Sequence, residues 1–157
     1  MKIHPVYVAG RFRDSSPWIV HQNIIAAEQR AAIVTRYEGL VAVCPHLLTR
    51  NLDSLRDDRY WCEATMEIMR RCDAVFVGPG WEDSRGSLAE IREALLLGKP
   101  VFFEEGQLRI FALQADAPYP PLLDFAAGWF LGDGKVRTKQ LIIDRERLVC
   151  AQYTIDC

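Results

Sequence analysis

Short apolar runs recur along the first two thirds of the chain, and segments with helical spacing lie between them. Runs of this length, rich in β-branched residues and bounded by turn residues, are typical of buried strands. They predict strands at Ile3–Ala9, Leu40–Cys44, Asp73–Val77 and Val101–Phe103. Because strands alternate with helices, the pattern predicts an α/β fold with a parallel sheet.

The predicted helices carry apolar stripes with a period near 3.6. In the first, Ser16 supplies a hydroxyl cap, Pro17 starts the helix, and Gly39 ends it after about Glu38. Its stripe consists of Val20, Ile24, Ala27, Ala31 and Val34. The other helices are predicted at Tyr60–Arg71 and at Ser87–Leu97, with Leu88, Ile91 and Leu95 on one side of the latter; His46–Arg59 is predicted as a loop or a short helix. The expected fold is therefore a single-domain, doubly wound (flavodoxin-like or Rossmann-like) sheet flanked by helices.

Ligands of such sheets bind beyond the carboxyl ends of the strands, which here selects two loops, 10–16 and 78–87. The first loop contains Arg11, Phe12 and Arg13 directly after Gly10. Two guanidinium groups beside an aromatic ring suit a phosphate together with a base or a sugar. The alternative is a pair of solvated arginines next to a packed phenylalanine.

The second loop, GWEDSRGSLAE, opens a helix and contains the small residues Gly86 and Ser87. Free N–H groups at a helix start favour anions, and small residues let a ligand approach the backbone. We expect Glu90 in the first turn, held ionised by the helix dipole and able to attack an oxocarbenium-like sugar carbon. The alternative is an ordinary acidic residue of a first helical turn. Tyr7, within the first strand, is compatible with a core tyrosine whose hydroxyl is satisfied.

Composition narrows the functional classes. The chain has 157 residues and a net charge of −2, so it lacks the basic field that nucleic-acid polymers require. No apolar run is long enough to span a membrane. Five irregularly spaced cysteines favour reduced thiols in the cytoplasm. Cys44 and His46 have no second ligand cluster nearby in the sequence, so we expect neither a metal site nor a cofactor.

The C-terminal part carries weaker signals. Residues 1–110 are sufficient for the predicted core, and residues 111–157 are predicted as an extension that packs on this core or on a partner subunit. Within the extension, the patterns indicate a helix over Leu122–Leu131 and a hairpin formed by Gln140–Ile143 and Leu148–Tyr153.

Several of these segments together resemble a known family. YVAGRFR, NIIAAE, CPH, MEIMRRCDAVFV, EDSRGSLAEI and GKPVFF follow one another between residues 6 and 103. In order and spacing they resemble the nucleoside 2-deoxyribosyltransferase superfamily, in a bacterial and phage branch, and they are also similar to 2′-deoxynucleoside 5′-monophosphate N-glycosidases. The resemblance implies cleavage of an N-glycosidic bond through a covalent glycosyl-glutamate intermediate.

The resemblance assigns roles to individual residues. It implies that Glu90 is the nucleophile and that Tyr7 orients it. The substrate-binding positions that we expect are Gly10, Arg11, Phe12, Arg13, Thr65, Trp81, Asp83, Ser84, Gly86 and Ser87. It also implies a homodimer or larger homo-oligomer, for which Trp129 and Phe130 are candidate contacts.

Two positions bear on the substrate and on turnover. Six residues before the nucleophile, transferases acting on free nucleosides carry an acidic residue, whereas monophosphate hydrolases carry serine. Ser84 and Arg13 thus favour a 5′-monophosphate, although a shift of one residue would place Asp83 there and reverse that choice. Where the family usually has an aspartate near the base, this chain has Thr65, whose hydroxyl is too weak an acid to protonate a leaving group.

These observations predict an enzyme that cleaves or transfers the N-glycosidic bond of a (deoxy)nucleoside or its 5′-monophosphate. A non-catalytic module that binds a nucleotide or a nucleotide-derived signal is the alternative that Thr65 favours. An FMN-binding protein is a third, although the loop after the first strand lacks a hydroxyl-rich phosphate site.

Overall fold

The computed structural model describes residues 2–114, which form four strands and five α-helices. The strands are β1 (His4–Ala9), β2 (Leu40–Val43), β3 (Ala74–Val77) and β4 (Val101–Phe102). The helices are α1 (Pro17–Thr35), α2 (Pro45–Thr49), α3 (Asp58–Arg71), α4 (Arg85–Leu96) and α5 (Glu105–Gln114). Short 3₁₀ turns at Asp53–Leu55 and Trp81–Asp83 lie in the loops before α3 and α4.

The sheet is entirely parallel, with the strand order β2-β1-β3-β4. Val6 of β1 lies opposite Ala42 of β2 and Ala74 of β3, so β1 is paired on both sides. The chain turns to one side after β1 and to the other after β3, which opens a crevice between the loops that follow these strands. This architecture confirms the predicted α/β fold with a parallel sheet flanked by helices.

Helices cover both faces of the sheet because side chains alternate along each strand. Val6 and Val8 join one apolar cluster with α1 and α5, whereas Tyr7 and Ala9 join a second with α3 and α4. The predicted stripe of α1 is buried at Ile24, Ala27, Ala31 and Val34, and the last three of these lie in the first cluster. Tyr7 therefore faces α3 and α4, and the second predicted loop leads into α4.

The ends of α1 differ from the prediction. The helix starts at Pro17, as expected, but the Ser16 hydroxyl makes no capping hydrogen bond. Instead, the Asp14 carboxylate accepts a hydrogen bond from the Ser16 N–H at 2.9 Å. The helix ends at Thr35 and not at Glu38, and Gly39, at φ +78°, makes the turn into β2.

The fourth helix begins two residues earlier than predicted. Ser84 caps α4 by accepting a hydrogen bond from the Ser87 N–H, so the helix starts at Arg85. Glu90 is consequently its sixth residue, and the expectation that it lies in the first turn is wrong. The predicted apolar side is also partly wrong, since Leu88 is exposed. The buried positions of α4 are Ser87, Ile91 and Ala94.

Of the two alternatives for residues 46–59, the short helix is confirmed by α2. Helix α5 was not among the predicted elements, and the predicted boundary at residue 110 falls within it. The predicted C-terminal helix and hairpin, like Trp129 and Phe130, lie outside the described residues. No helix in the described part of the chain has the length and hydrophobicity needed to cross a membrane.

Candidate functional site

Tyr7 and Glu90 meet at the carboxyl-terminal half of the sheet. The Tyr7 side chain is fully buried on the face covered by α3 and α4. Its phenol donates a hydrogen bond to Oε1 of Glu90 at 2.5 Å, across 83 residues of sequence. The two residues predicted as nucleophile and orienting group are thus in direct contact.

Glu90 is half-buried, and its environment changes its acidity. Burial raises the pKa of its carboxyl to about 7, and the hydrogen bond from Tyr7 opposes this rise. The expectation that the helix dipole holds Glu90 ionised is therefore wrong. The helix dipole acts within the first turn, and Glu90 lies beyond that turn. Removal of water from the carboxylate therefore dominates its pKa.

Thr65 of α3 lies beside the same phenol. Burial, followed by the charge of Glu90, raises the pKa of Tyr7 well above its ordinary value, and a hydrogen bond with Thr65 opposes this rise. The Thr65 hydroxyl donates to the backbone carbonyl of Trp61 at 2.9 Å. Tyr7 thus stays protonated at neutral pH and acts as a hydrogen-bond donor to Glu90.

The start of α4 is an ordered cap. Both the N–H and the hydroxyl of Ser87 donate to Oγ of Ser84, at 3.2 Å and 3.0 Å. Ser87 is buried, whereas Asp83 and Gly86 are exposed. A Cβ added at Gly86 would meet no atom within 4 Å, so the backbone there is open to a ligand.

The arginines of the first loop are already paired with carboxylates. Arg11 lies 2.7 Å from Asp14, and Arg13 lies 2.5 Å from Asp58 and 3.3 Å from Asp53. The Arg13 guanidinium also stacks over the Phe12 ring, 4.9 Å from its centre. The Arg13 ion pairs join the first loop to the residues around the start of α3, and all three ion pairs offset the positive charge offered to a phosphate.

His46 holds the first loop in place through contacts with Arg11 and Phe12, a role that the sequence did not reveal. Its buried ring donates from Nε2 to the carbonyl of Arg11 at 3.0 Å and contacts Phe12 edge-on. Burial lowers the pKa of His46, so the ring is neutral at pH 7. The ring also lies near Gly10, where an added Cβ would be 3.6 Å from it. The CPH motif was the available signal, but it indicated only a weak metal-site candidate.

The remaining predicted residue, Trp81, packs on the second apolar cluster, and its ring centre lies 5.1 Å from that of Phe103. The structure thus joins Tyr7, Thr65 and Glu90 in one group, and Ser84 with Ser87 in another. In the first loop, Arg11 and Arg13 pair with aspartates, and Phe12 contacts His46. Within residues 2–114, no group of three or more His, Cys, Asp or Glu side chains is placed to hold a metal ion.

Comparison with known families adds a classification. Residues 5–103 match the family described as "Domain of unknown function (DUF4406)". The chain belongs to this family. The DUF4406 region covers the four strands except the first residue of β1, and it contains Tyr7, Thr65 and Glu90, together with both loops at the carboxyl ends of β1 and β3. No curated protein matches the chain.

Proposed function

We propose that this DUF4406 protein cleaves or transfers the N-glycosidic bond of a deoxynucleoside or its 5′-monophosphate. The observation that carries the proposal is the 2.5 Å hydrogen bond between the Tyr7 phenol and the Glu90 carboxyl. A carboxylate oriented by a buried phenol is suited to attack an electron-poor sugar carbon. The resemblance of residues 6–103 to nucleoside 2-deoxyribosyltransferases supports the same chemistry.

The proposed reaction has two steps. Ionised Glu90 forms a bond to C1′ of the sugar while the bond from C1′ to the base nitrogen breaks, and the departing base takes a proton from solvent. Water then attacks C1′ while the bond from C1′ to Glu90 breaks, the water gives a proton to solvent, and the free sugar and ionised Glu90 are released. Attack by the nitrogen of a second base, which likewise loses its proton to solvent, gives transfer. Because deoxyribose lacks the electron-withdrawing 2′-hydroxyl, positive charge develops at C1′ at a lower cost in free energy.

The substrate would lie across the ends of β1 and β3. We place the base near Phe12 and Trp81, and the 5′ end near Arg13, Ser84 and the exposed backbone at Gly86. A 5′-monophosphate is the favoured substrate because Ser84, not an acidic residue, caps α4. A bound phosphate would have to compete with Asp53 and Asp58 for Arg13.

The test is release of free base, measured by chromatography after incubation with each deoxynucleoside and deoxynucleoside 5′-monophosphate. Glu90→Gln keeps the shape of the side chain and removes the nucleophilic charge, so we expect a loss of at least about 100-fold in kcat. Glu93→Gln is the matched control on α4, since Glu93 pairs with Arg70 on the helix surface. Equal rates for the parent protein and Glu90→Gln would refute the proposed mechanism.

A second candidate is a non-catalytic module that binds nucleotides. Thr65 favours it, because a hydroxyl donating to the Trp61 carbonyl is not an acid for a departing base. Thermal stabilisation by a nucleotide with no base released would select this candidate. Base release and thermal stabilisation, measured on the same nucleotides, therefore separate the two functions.

We further propose a cytoplasmic homodimer or larger homo-oligomer that needs no cofactor and binds neither nucleic-acid polymers nor membranes. The free thiols of Cys44 and Cys72 support a reducing compartment. The exposed side chains of Trp18 and Leu55 offer apolar surface for a second copy. Sedimentation of the purified protein would test the assembly.

A further inference from the structure

Two helices hold the backbone of the first loop by successive carbonyl groups. On α2, Nε2 of the His46 ring donates a hydrogen bond to the carbonyl of Arg11 at 3.0 Å. On α1, the side-chain amide of Asn23 donates to the carbonyl of Phe12 at 3.1 Å. Asn23 belongs to the NIIAAE segment and His46 to the CPH segment, two sequence features to which the proposed reaction gives no role.

Histidine is a costly residue at position 46 unless its ring has a specific partner. The ring is 4% exposed, and its Nδ1 has no hydrogen-bond partner among the described residues. A buried nitrogen without a partner costs free energy, whereas a phenyl ring fills a similar space without that cost. Because a carbonyl oxygen only accepts, the hydrogen of the neutral ring lies on Nε2. The hydrogen bond to Arg11 is therefore what the His46 ring gains in return.

The His46 ring also packs against the residues on both sides of Arg11. It contacts the Phe12 ring edge-on, with 5.4 Å between the ring centres, and a Cβ added at Gly10 would lie 3.6 Å from Cε1. The Arg13 guanidinium in turn lies 4.9 Å from the centre of the Phe12 ring. The position of His46 thus affects Phe12 directly and Arg13 through the Phe12 ring.

The two hydrogen bonds also fix the direction in which the peptide groups of the loop face. The peptide bonds of this loop are trans, so each carbonyl oxygen and the next N–H point to opposite sides. Since the carbonyls of Arg11 and Phe12 point to α2 and α1, the N–H groups of Phe12 and Arg13 point away from these helices. Within residues 2–114, neither N–H donates a hydrogen bond. Both are therefore available to a ligand.

We propose that Asn23 and His46 are positioning residues, which hold the first loop in the conformation that presents Phe12 and Arg13 to the ligand. They act on a ligand only through the loop. That this conformation serves nucleotide binding rests on the proposed function, whereas the dependence of the loop on Asn23 and His46 does not. A purely structural role predicts that substitutions destabilise the whole fold, whereas a positioning role predicts that they loosen the loop alone.

The variants His46→Phe and Asn23→Leu separate these two roles. His46→Phe keeps a buried ring and removes the donor together with the unpartnered nitrogen, so the unfolding midpoint should not fall. Asn23→Leu removes the other donor from a half-buried helix position at which leucine is the better helix former. Each variant should nevertheless open the loop about three- to tenfold more often, as expected for the loss of one hydrogen bond.

The experiment is limited trypsin digestion of the native, full-length protein, since trypsin cleaves after arginine and the loop contains Arg11 and Arg13. Mass spectrometry follows the initial rates of cleavage after these two residues and after Arg59, whose side chain is 84% exposed on α3. In both variants, cleavage in the loop should rise about three- to tenfold relative to cleavage after Arg59, because the rate follows the population of the opened loop. His46→Gln keeps an amide donor and should rise less than His46→Phe. Gln22→Leu, at an exposed position of α1, should match the parent protein.

Two outcomes would overturn the proposal. One is unchanged cleavage after Arg11 and Arg13 in both variants. The other is equal acceleration at all three sites together with a lower unfolding midpoint, which is the result of a purely structural role. If His46→Phe does not fold, Asn23→Leu carries the same comparison.

The same digestion tests the link to the proposed function separately. Deoxynucleoside 5′-monophosphates should slow cleavage after Arg11 and Arg13 in the parent protein, because a bound ligand stabilises the closed loop. Loop opening in the variants without such protection in the parent protein would support the positioning role and contradict the proposed nucleotide site.

Discussion

At the scale of single residues, Glu90 occupies a position in which ionisation costs free energy. In the unfolded chain its pKa is the ordinary 4.5, whereas in the folded protein burial raises it to about 7. Between these two values the folded state binds more protons than the unfolded state. The free energy of unfolding contributed by this group therefore falls as pH rises from about 4.5 to about 7, and it changes little above that range.

Replacing Glu90 by glutamine should reveal this cost. At pH 8 we expect Glu90→Gln to raise the free energy of unfolding by about 1–3 kcal/mol, because the buried charge is removed while the acceptor for Tyr7 remains. Near pH 4.5 the difference should be small. Urea denaturation at both pH values measures it, and Glu93→Gln serves as the control. A stability difference that is equal at the two pH values would contradict the raised pKa.

The contact between Tyr7 and Glu90 could be predicted from the sequence, but the raised pKa of Glu90 could not. The resemblance implied that Tyr7 orients Glu90, and the two side chains are in contact. The acidity of Glu90 depends on how much water the packed helices exclude, and on where α4 begins. Two residues of error at that helix start were enough to place Glu90 wrongly in the first turn.

At the scale of elements, the loop after β1 is tied down by ion pairs to the segment around the start of α3. Arg13 is half exposed and pairs with Asp53 and with Asp58, which is itself more than half exposed. Ion pairs this exposed contribute only about 0–1 kcal/mol, since water screens them. A phosphate carrying about two charges can therefore displace the carboxylates from Arg13 at small cost.

Asp58→Asn should strengthen binding of deoxynucleoside 5′-monophosphates about two- to fivefold, because it removes one competitor for Arg13. Binding of the matching deoxynucleosides should not change, since they carry no phosphate. Isothermal titration calorimetry at low and moderate salt measures both. Glu63→Gln is the control, as Glu63 lies on α3 but pairs with Arg59. Equal monophosphate affinity in the parent protein and Asp58→Asn would contradict a contact between Arg13 and the phosphate.

The sequence predicted which segments are helices and strands better than it predicted the residues at which the helices begin and end. Two serines illustrate the reason, since both precede a helix and only one caps it. Ser84 accepts from the Ser87 N–H, whereas Ser16 makes no capping hydrogen bond and its own N–H donates to Asp14. Several short polar side chains near a helix start compete for the same N–H groups, and sequence periodicity does not rank them.

At the scale of the whole described molecule, the parallel sheet was predictable because each strand is a short apolar run between helices. The helix α5 was not, because its signal is weak. It lacks a preceding Ser, Thr, Asp or Asn cap and contains Gly106, and over residues 105–113 it buries only Leu108 and Phe111 in the core. Its start is secured instead by Gln107, whose side-chain oxygen accepts hydrogen bonds from two preceding N–H groups.

Phe111 tests whether α5 belongs to the folding unit. Its ring is buried in the first apolar cluster, 5.2 Å from the ring of Phe102 and 6.0 Å from that of His4. Phe111→Ala should lower the free energy of unfolding by about 3–5 kcal/mol, because it leaves a cavity beside the sheet.

Leu113→Ala is the matched control on the same helix. Its side chain is 78% exposed, so the change should stay within about 0.5 kcal/mol. Urea denaturation of the full-length variants measures both. Similar small effects at the two positions would mean that α5 adds little to the core. A large loss at Phe111 alone would mean that the folding unit extends past residue 110, so that a chain cut at the predicted boundary would lose part of its core.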